Sequence, residues 1–211
     1  MKAGFIQTHA NLSAAYSLIS DGVVKYHAEI PLNFKGSHAG FFEGDRLRYK
    51  LCFDRLESIK GLFKGRVAAN MFPFSIWSSD DELVGHAYLK RSKAFFGYMY
   101  FEYVLNGKTF YAYEVGMGKQ GIKIPIYDED KQIALIEKGV VVYDNKDEYE
   151  IVGIDDYAIE VAALFNLYYD FVRFGRYGQV VYKSKEVSYL YTINKELKNK
   201  YDQTFKKLYE Y

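Results

Sequence analysis

Apolar and polar residues alternate with a period of two along much of this chain, and that alternation marks strands. Asp45–Asp54 ("DRLRYKLCFD") is the strictest case: Leu47, Tyr49, Leu51 and Phe53 face one way, and Arg46, Arg48 and Lys50 the other. A strand of this kind has one buried and one solvated face, as antiparallel sheets allow. Val23–Leu32 alternates more loosely after the turn signal Asp21-Gly22, and "LVGHAYLKR" and "FFGYMYFEYVL" are further strand segments. Three hairpins follow. Asn106-Gly107 separates two apolar arms, "GIKIPIYDEDKQIALIEKG" turns at Asp128–Asp130, and "VVVYDNKDEYEIVG" turns at Asp144–Lys146. Consecutive hairpins at this spacing predict an antiparallel meander that must close or pack to hide its edges.

One passage breaks the period. "DDYAIEVAALFNLYYDFVRFG" predicts a helix over Tyr157–Phe174, about 27 Å long at the usual helical rise. Asp155 or Asp156 can cap its amino end, with Glu160 near the positive dipole end. Arg173 lies near the negative end, and Gly175 is a natural stop. Between Val161 and Tyr169 only Asn166 is polar. A helix apolar on every side is buried on every side. The run is too short and too closely flanked by charge to span a bilayer. An antiparallel sheet curled around one helix satisfies both patterns.

The hairpins "GKQGIKIPIYDEDKQIALIEKG" and "DEYEIVGIDDYAIEVAALFNLYYDF", ending in this apolar helix, resemble the tubby C-terminal-like superfamily. That group includes tubby-like proteins, phospholipid scramblases and LURP-one-related proteins. The resemblance runs from Tyr88 to Phe174, and more loosely from Ala14 to Trp77. It implies a closed β-barrel of about twelve strands around a central hydrophobic helix. It also implies recognition of phosphoinositide head groups by cationic surface residues, as in tubby-like proteins. The chain departs from the family in carrying a segment after the helix, and in longer loops over Asn33–Arg66. The expected fold is therefore mainly β: a closed antiparallel barrel over residues 1–175 around the 157–174 helix. A carboxy-terminal appendage, 176–211, follows as a strand ("GQVVYKSK") and an amphipathic helix. In that helix Ile193, Leu197, Tyr201, Phe205 and Leu208 recur at helical spacing, among lysines. Such a stripe fits docking on the barrel, or contact with a membrane surface or partner.

Composition supports sheet: 18 % of the residues are aromatic, including 22 Tyr, and only 3 are Pro. The single cysteine, Cys52, cannot form an internal disulfide, so a reducing cytoplasm is the expected compartment. Cys52 itself reads as a small buried hydrophobe. Gln7, Thr8, His9 and Asn11 interrupt any amino-terminal signal core. The net charge of +1 gives no overall pull toward nucleic acid. Charge is nevertheless uneven: Met1–Asn106 holds 13 basic and 10 acidic residues, Gly107–Tyr182 8 and 13, and Lys183–Tyr211 7 and 4.

No catalytic or metal constellation is visible. His9, His27, His38 and His86 are widely spaced, no G-x-S-x-G elbow occurs, and no cofactor is expected. Glu102 and Glu114, on aromatic strands, are the carboxylates that could meet in space. "GMGKQG" (Gly116–Gly121) matches a dinucleotide fingerprint, but a strand follows where a phosphate-binding helix is required. "DEDKQIALIEKG" begins like a calcium loop yet has Ile133 where the sharp turn needs Gly. "SSDDEL" reads as a polar turn. Two basic clusters remain, Lys60, Lys64 and Arg66 in "KGLFKGR" and Lys90, Arg91 and Lys93 in "YLKRSK". If the barrel closes, these loops can combine into one anion-binding patch. The expected function is a non-enzymatic binding module for an anionic ligand or phospholipid head group, peripheral to the membrane. The alternative is a protein-interaction role for exposed tyrosines and the terminal helix.

Overall fold

The computed structural model describes residues 1–10, 13–31, 38–54, 70–93, 95–144, 146–174 and 185–209. The first nine strands are β1 (Lys2–Ala10), β2 (Ala14–Ser20), β3 (Val23–Ile30), β4 (Ala39–Glu43), β5 (Arg46–Phe53), β6 (Met71–Ser78), β7 (Leu83–Arg91), β8 (Met99–Leu105) and β9 (Lys108–Ala112). After them come β10 (Val115–Gly116), β11 (Ile122–Asp128), β12 (Lys131–Lys138), β13 (Val141–Tyr143) and β14 (Glu148–Gly153). Each strand from β1 to β9 pairs with the next, while β11, β12, β14 and β1 form the other arc. Ala112, Tyr111 and Phe110 of β9 then pair with Ile126, Tyr127 and Asp128 of β11. That seam closes 12 antiparallel strands into a barrel. Closure removes the unpaired edges that an open meander would expose.

Parity fixes the register. In β2, Ala14, Tyr16, Leu18 and Ser20 are buried and the residues between them half-buried, and β8 repeats the alternation. Slipping either strand by one residue would turn its whole apolar set outward. Asn106 and Gly107 both take positive φ, the geometry of a two-residue hairpin between β8 and β9. The hairpin expected over Val140–Gly153 does not form as a unit. β13 pairs instead with β15 (Lys185–Val187), and Tyr143 meets Lys146 only in an isolated bridge. β14 lies between β12 and β1, where Tyr149 and Ile151 are buried in the core. Val141 and Tyr143 are exposed and offer β14 no comparable burial. The amino-terminal stretch, whose polar residues interrupt any signal core, supplies β1 and β2.

Helix α1 (Asp156–Phe174) follows β14, capped by Asp155, whose Oδ1 accepts from the Ala158 amide at 2.7 Å. Every residue from Ala158 to Asp170 is buried. Phe165 meets Phe101 of β8 edge-on at 5.4 Å between ring centroids, and Tyr168 meets Phe74 of β6 at 5.1 Å. Each large apolar side chain removed from water contributes about 1.5–3 kcal/mol. Two buried acids of α1 are held by strands. Glu160 accepts from Arg48 of β5 at 3.0 Å and from Tyr26 of β3 at 3.2 Å. Asp170 accepts from Tyr16 of β2 at 2.5 Å and from Tyr149 of β14. Burial, and then the neighbouring Asp147, push the Asp170 carboxyl up to about 6. No helix among the described residues is long and apolar enough to cross a membrane.

The carboxy-terminal segment forms two short helices, α2 (Lys195–Lys198) and α3 (Phe205–Tyr209), rather than one continuous helix. Asp202 Oδ1 accepts from the Thr204 amide at 2.8 Å, a local turn that restarts the chain before α3. Of the apolar stripe, Leu197 and Phe205 are buried, while Ile193 and Leu208 are exposed. The "GQVVYKSK" segment lies almost wholly outside the described residues.

Candidate ligand-binding surface

Lys60, Lys64 and Arg66 lie outside the described residues. Lys90, Arg91 and Lys93 sit at the end of β7 and in the connection to β8. Lys90 donates to Glu102 on the adjacent strand at 2.6 Å, and Lys93 to Glu196 of α2 at 2.8 Å. The Glu196 carboxylate holds the Lys93 ammonium above its ordinary value. The connection is pinned at its base: the Ser92 amide donates to the Tyr98 carbonyl at 2.9 Å, and the Tyr98 amide to Ser92 Oγ at 3.0 Å. Beyond that base Phe95 and Phe96 are 82 % and 97 % exposed, Phe96 with φ of 56°. The Phe96 carbonyl accepts from Asn194 Nδ2 at 3.2 Å, which places Ile193, 96 % exposed, on the chain that docks there. Two segments far apart in sequence thus meet at this tip, each carrying exposed apolar side chains. Lys195 and Lys198 of α2 are exposed beside it.

A cleft of about 490 Å³ opens next to this tip, reached by Ser92 and Tyr98 from the connection and by Asn199 and Lys200 from the carboxy-terminal segment. Its walls are Tyr98, Tyr100 of β8, Tyr111 of β9, Tyr113 and Tyr127 of β11. Tyr100 lies 6.2 Å from both Tyr111 and Tyr113, and Tyr113 lies 5.8 Å from Tyr127, ring centre to ring centre. The Lys200 ammonium stands 4.9 Å from the Tyr113 ring and 6.0 Å from the Tyr127 ring, while Tyr127 donates to the Lys200 carbonyl at 2.8 Å. Burial, and then the neighbouring phenols, raise the Tyr113 hydroxyl above its ordinary value. Burial raises Tyr127 likewise. These phenols are neutral donors at physiological pH.

The remaining sequence candidates occupy other places. Glu102 is engaged by Lys90, and Glu114 by Tyr169 of α1 and by Arg173, each at 2.8 Å. In "GMGKQG" the amides are already used: Gly116 donates to Thr192 Oγ1 at 2.6 Å, Gly118 to the Leu190 carbonyl at 2.9 Å and Gly121 to the Gly118 carbonyl at 3.1 Å. A Cβ on Gly118 would fall 2.3 Å from the Tyr191 ring, so this glycine serves close packing. Asp128 pairs with Lys108 at 3.5 Å at the tip of its hairpin. Among the described residues no group of three His, Cys, Asp or Glu side chains is placed to hold a metal ion. A larger groove of about 770 Å³, over β1, β14, β12 and β11, is lined by charges that pair with one another.

The tyrosine cleft escaped sequence reasoning, although part of its signal was present. Tyr98 and Tyr100, and Tyr111 and Tyr113, each share a parity across the Asn106-Gly107 turn. Tyr127 and Lys200 join them only through the barrel seam and the returning carboxy terminus. No protein-family model matches the chain, and neither a curated protein nor a solved structure matches it.

Proposed function

We propose that the chain is a non-enzymatic binding module of the tubby C-terminal-like kind, with α1 running through the barrel, and that it attaches peripherally to anionic membranes. The placement of α1 draws support from its partners, which lie on β2, β3, β5, β6, β8 and β14, around most of the ring. Slow amide exchange across Ala158–Asp170, outlasting that of the strands, is expected for a helix so placed. Exchange as fast as that of the exposed hairpin tips would remove it.

The membrane reading is carried by one observation: Phe95, Phe96 and Ile193 are each more than four-fifths exposed and are joined at one tip. Exposed apolar side chains brought to one place in this way suit a contact surface. Arg91, Lys93, Lys195 and Lys198 accompany it, with Glu196 paired to Lys93. Apolar side chains inserted at the head-group boundary, with cations above them, are how peripheral surfaces hold to anionic lipid. Each cation adds roughly 1 kcal/mol of attraction near such a surface. The apolar tip supplies what the charges alone lack, because Lys93 is partly neutralised by Glu196.

Co-sedimentation with vesicles of phosphatidylcholine, with and without phosphatidylserine, tests this. Recovery should rise with the anionic lipid, fall with salt and drop at least about tenfold in the Phe95→Ser/Phe96→Ser double variant. Equal recovery on neutral and anionic vesicles at low salt ends the proposal. Self-association abolished by the same double variant, without vesicle binding, would reassign the tip to protein contact.

A further inference from the structure

From the cleft beside that tip we infer a second site, independent of the membrane reading: a cage for a quaternary ammonium group, with Lys200 as the chain's own removable occupant. The corner formed by Tyr113 and Tyr127 is two ring planes crossing at 75°, their centres 5.8 Å apart. Cations are held over aromatic faces within about 6 Å of the ring centre, and two crossed faces give such a cation two walls. The Lys200 ammonium already sits there, 4.9 Å from one centre and 6.0 Å from the other. The corner therefore accepts a positive charge in the folded protein.

Lys200 is a poor permanent tenant. A primary ammonium is compact and strongly hydrated, so withdrawing it from water recovers little. A trimethylammonium group carries the same charge on a larger, weakly hydrated surface and gains more from ring faces. The cleft has room for one, at about 490 Å³, with Tyr98 and Tyr100 extending the walls beyond the Lys200 corner. Tyr113 lies 6.2 Å from both rings, at 65° to Tyr98 and 31° to Tyr100. Charge decides between a cationic and an anionic ligand. Glu129 and Asp130 border the cleft against the single lysine, so its charged rim is net negative once Lys200 is counted. An anionic group seated on these rings would meet two carboxylates, whereas an organic cation gains from both.

The same group occurs in free choline and in the phosphatidylcholine head group, and the test separates these sources. Calorimetric or NMR titration with choline should saturate, and the uncharged carbon isostere of choline should bind at least about tenfold more weakly. Lys200→Ala should tighten choline binding about fivefold, because the competing occupant is gone. Tyr113→Phe should stay within about twofold and Tyr113→Leu should lose about tenfold, since the ring face and not the hydroxyl is used. Near-ultraviolet circular dichroism identifies a variant that has lost its fold. If Tyr113→Leu has, the isostere and Lys200→Ala arms still decide. Choline binding with capture by pure phosphatidylcholine vesicles that persists in Phe95→Ser/Phe96→Ser and is lost in Tyr113→Leu assigns the head group, and choline binding without such capture assigns a free solute. Either upholds the cage. Equal affinity for choline and its isostere overturns it, and so does absence of saturation in both the natural protein and Lys200→Ala. Neither outcome depends on anionic lipid, so this site and the membrane tip fail separately.

Discussion

The carboxy-terminal segment meets the barrel in two contrasting ways. Its last helix, α3, is docked: Phe205 is buried against Leu135 and Val152 on the outward side of β12 and β14, and Lys206 donates to Glu137 at 2.8 Å and also pairs with Glu150. Glu137 and Glu150 stand directly opposite each other on those strands. Lys123 and Lys2 close the two ends of the row, each at 2.7 Å. The earlier part of the segment crosses the tyrosine cleft and the β7–β8 connection, where Ile193 is left in solvent and Lys200 rests on ring faces. At one end the chain buries an aromatic ring and pairs its lysine with two acids, while at the other it leaves Ile193 in solvent and a lysine on ring faces. Where burial and charge are both matched the contact is structural. Where neither is matched, an external partner has something to gain.

The largest effect is expected at the docked end. Phe205→Ala removes the buried ring that anchors α3 and should cost about 3 kcal/mol of local stability. It is read as accelerated amide exchange over residues 205–209. Unchanged exchange there would dissolve the contrast, since α3 would then be held no better than the cleft side.

Lys206→Met sharpens the comparison by charge. It keeps most of the stem that covers the sheet but leaves Glu137 and Glu150 facing each other across the strands, and like charges directly opposite are unfavourable. The expected loss is about 1 kcal/mol at neutral pH, in keeping with partly exposed ion pairs. The pH dependence has a definite sign. Burial pulls the Glu150 carboxyl up, but Lys2 and Lys206 outweigh it and hold it below the ordinary glutamate value. A depressed carboxylate stabilises the fold above its unfolded value, about 4.3, and that contribution drains away as pH falls through the folded value. Burial likewise opposes the Lys206 charge, and the two carboxylates overcome it. The difference between natural and Lys206→Met protein in urea unfolding should therefore shrink on acidification below about 4. A difference that grows on acidification would show that the row of charges is not what holds α3.

The contrast also explains what the sequence disclosed. The β5 alternation, the Asn106-Gly107 turn and the all-round apolar helix are local signals, and each names its element because a few neighbouring residues dictate it. The Asp144–Lys146 turn was local too, yet β14 pairs elsewhere. Tyr149 and Ile151 gain their burial between β1 and β12, strands that lie far off in sequence. The Ile193–Leu208 stripe had helical spacing, but the Asp202–Thr204 turn divides it and leaves both end residues outside the packing. Of the basic clusters, Lys90 and Lys93 became half of ion pairs whose acids, Glu102 and Glu196, are 12 and 103 residues away in the chain. Charge runs announce cations readily and say nothing of which acid will fold against them.

The smallest stability change belongs to the exposed tip. Phe96 takes φ of 56°, a left-handed conformation that costs an L-residue roughly 1 kcal/mol and glycine almost nothing. Phe96→Gly relieves that strain and removes an aromatic ring that is 97 % exposed and so contributes little burial. Against this stands the greater conformational freedom that glycine loses on folding, of comparable size. The two offset, and the unfolding midpoint should move by less than about 0.5 kcal/mol equivalent. Vesicle recovery should nevertheless fall several-fold, because the removed ring is one of the three exposed apolar side chains proposed to meet the lipid. Loss of stability without loss of recovery would invert the comparison: the strained phenylalanine would be part of the fold's packing, and the docked and open ends of this segment would differ in degree alone.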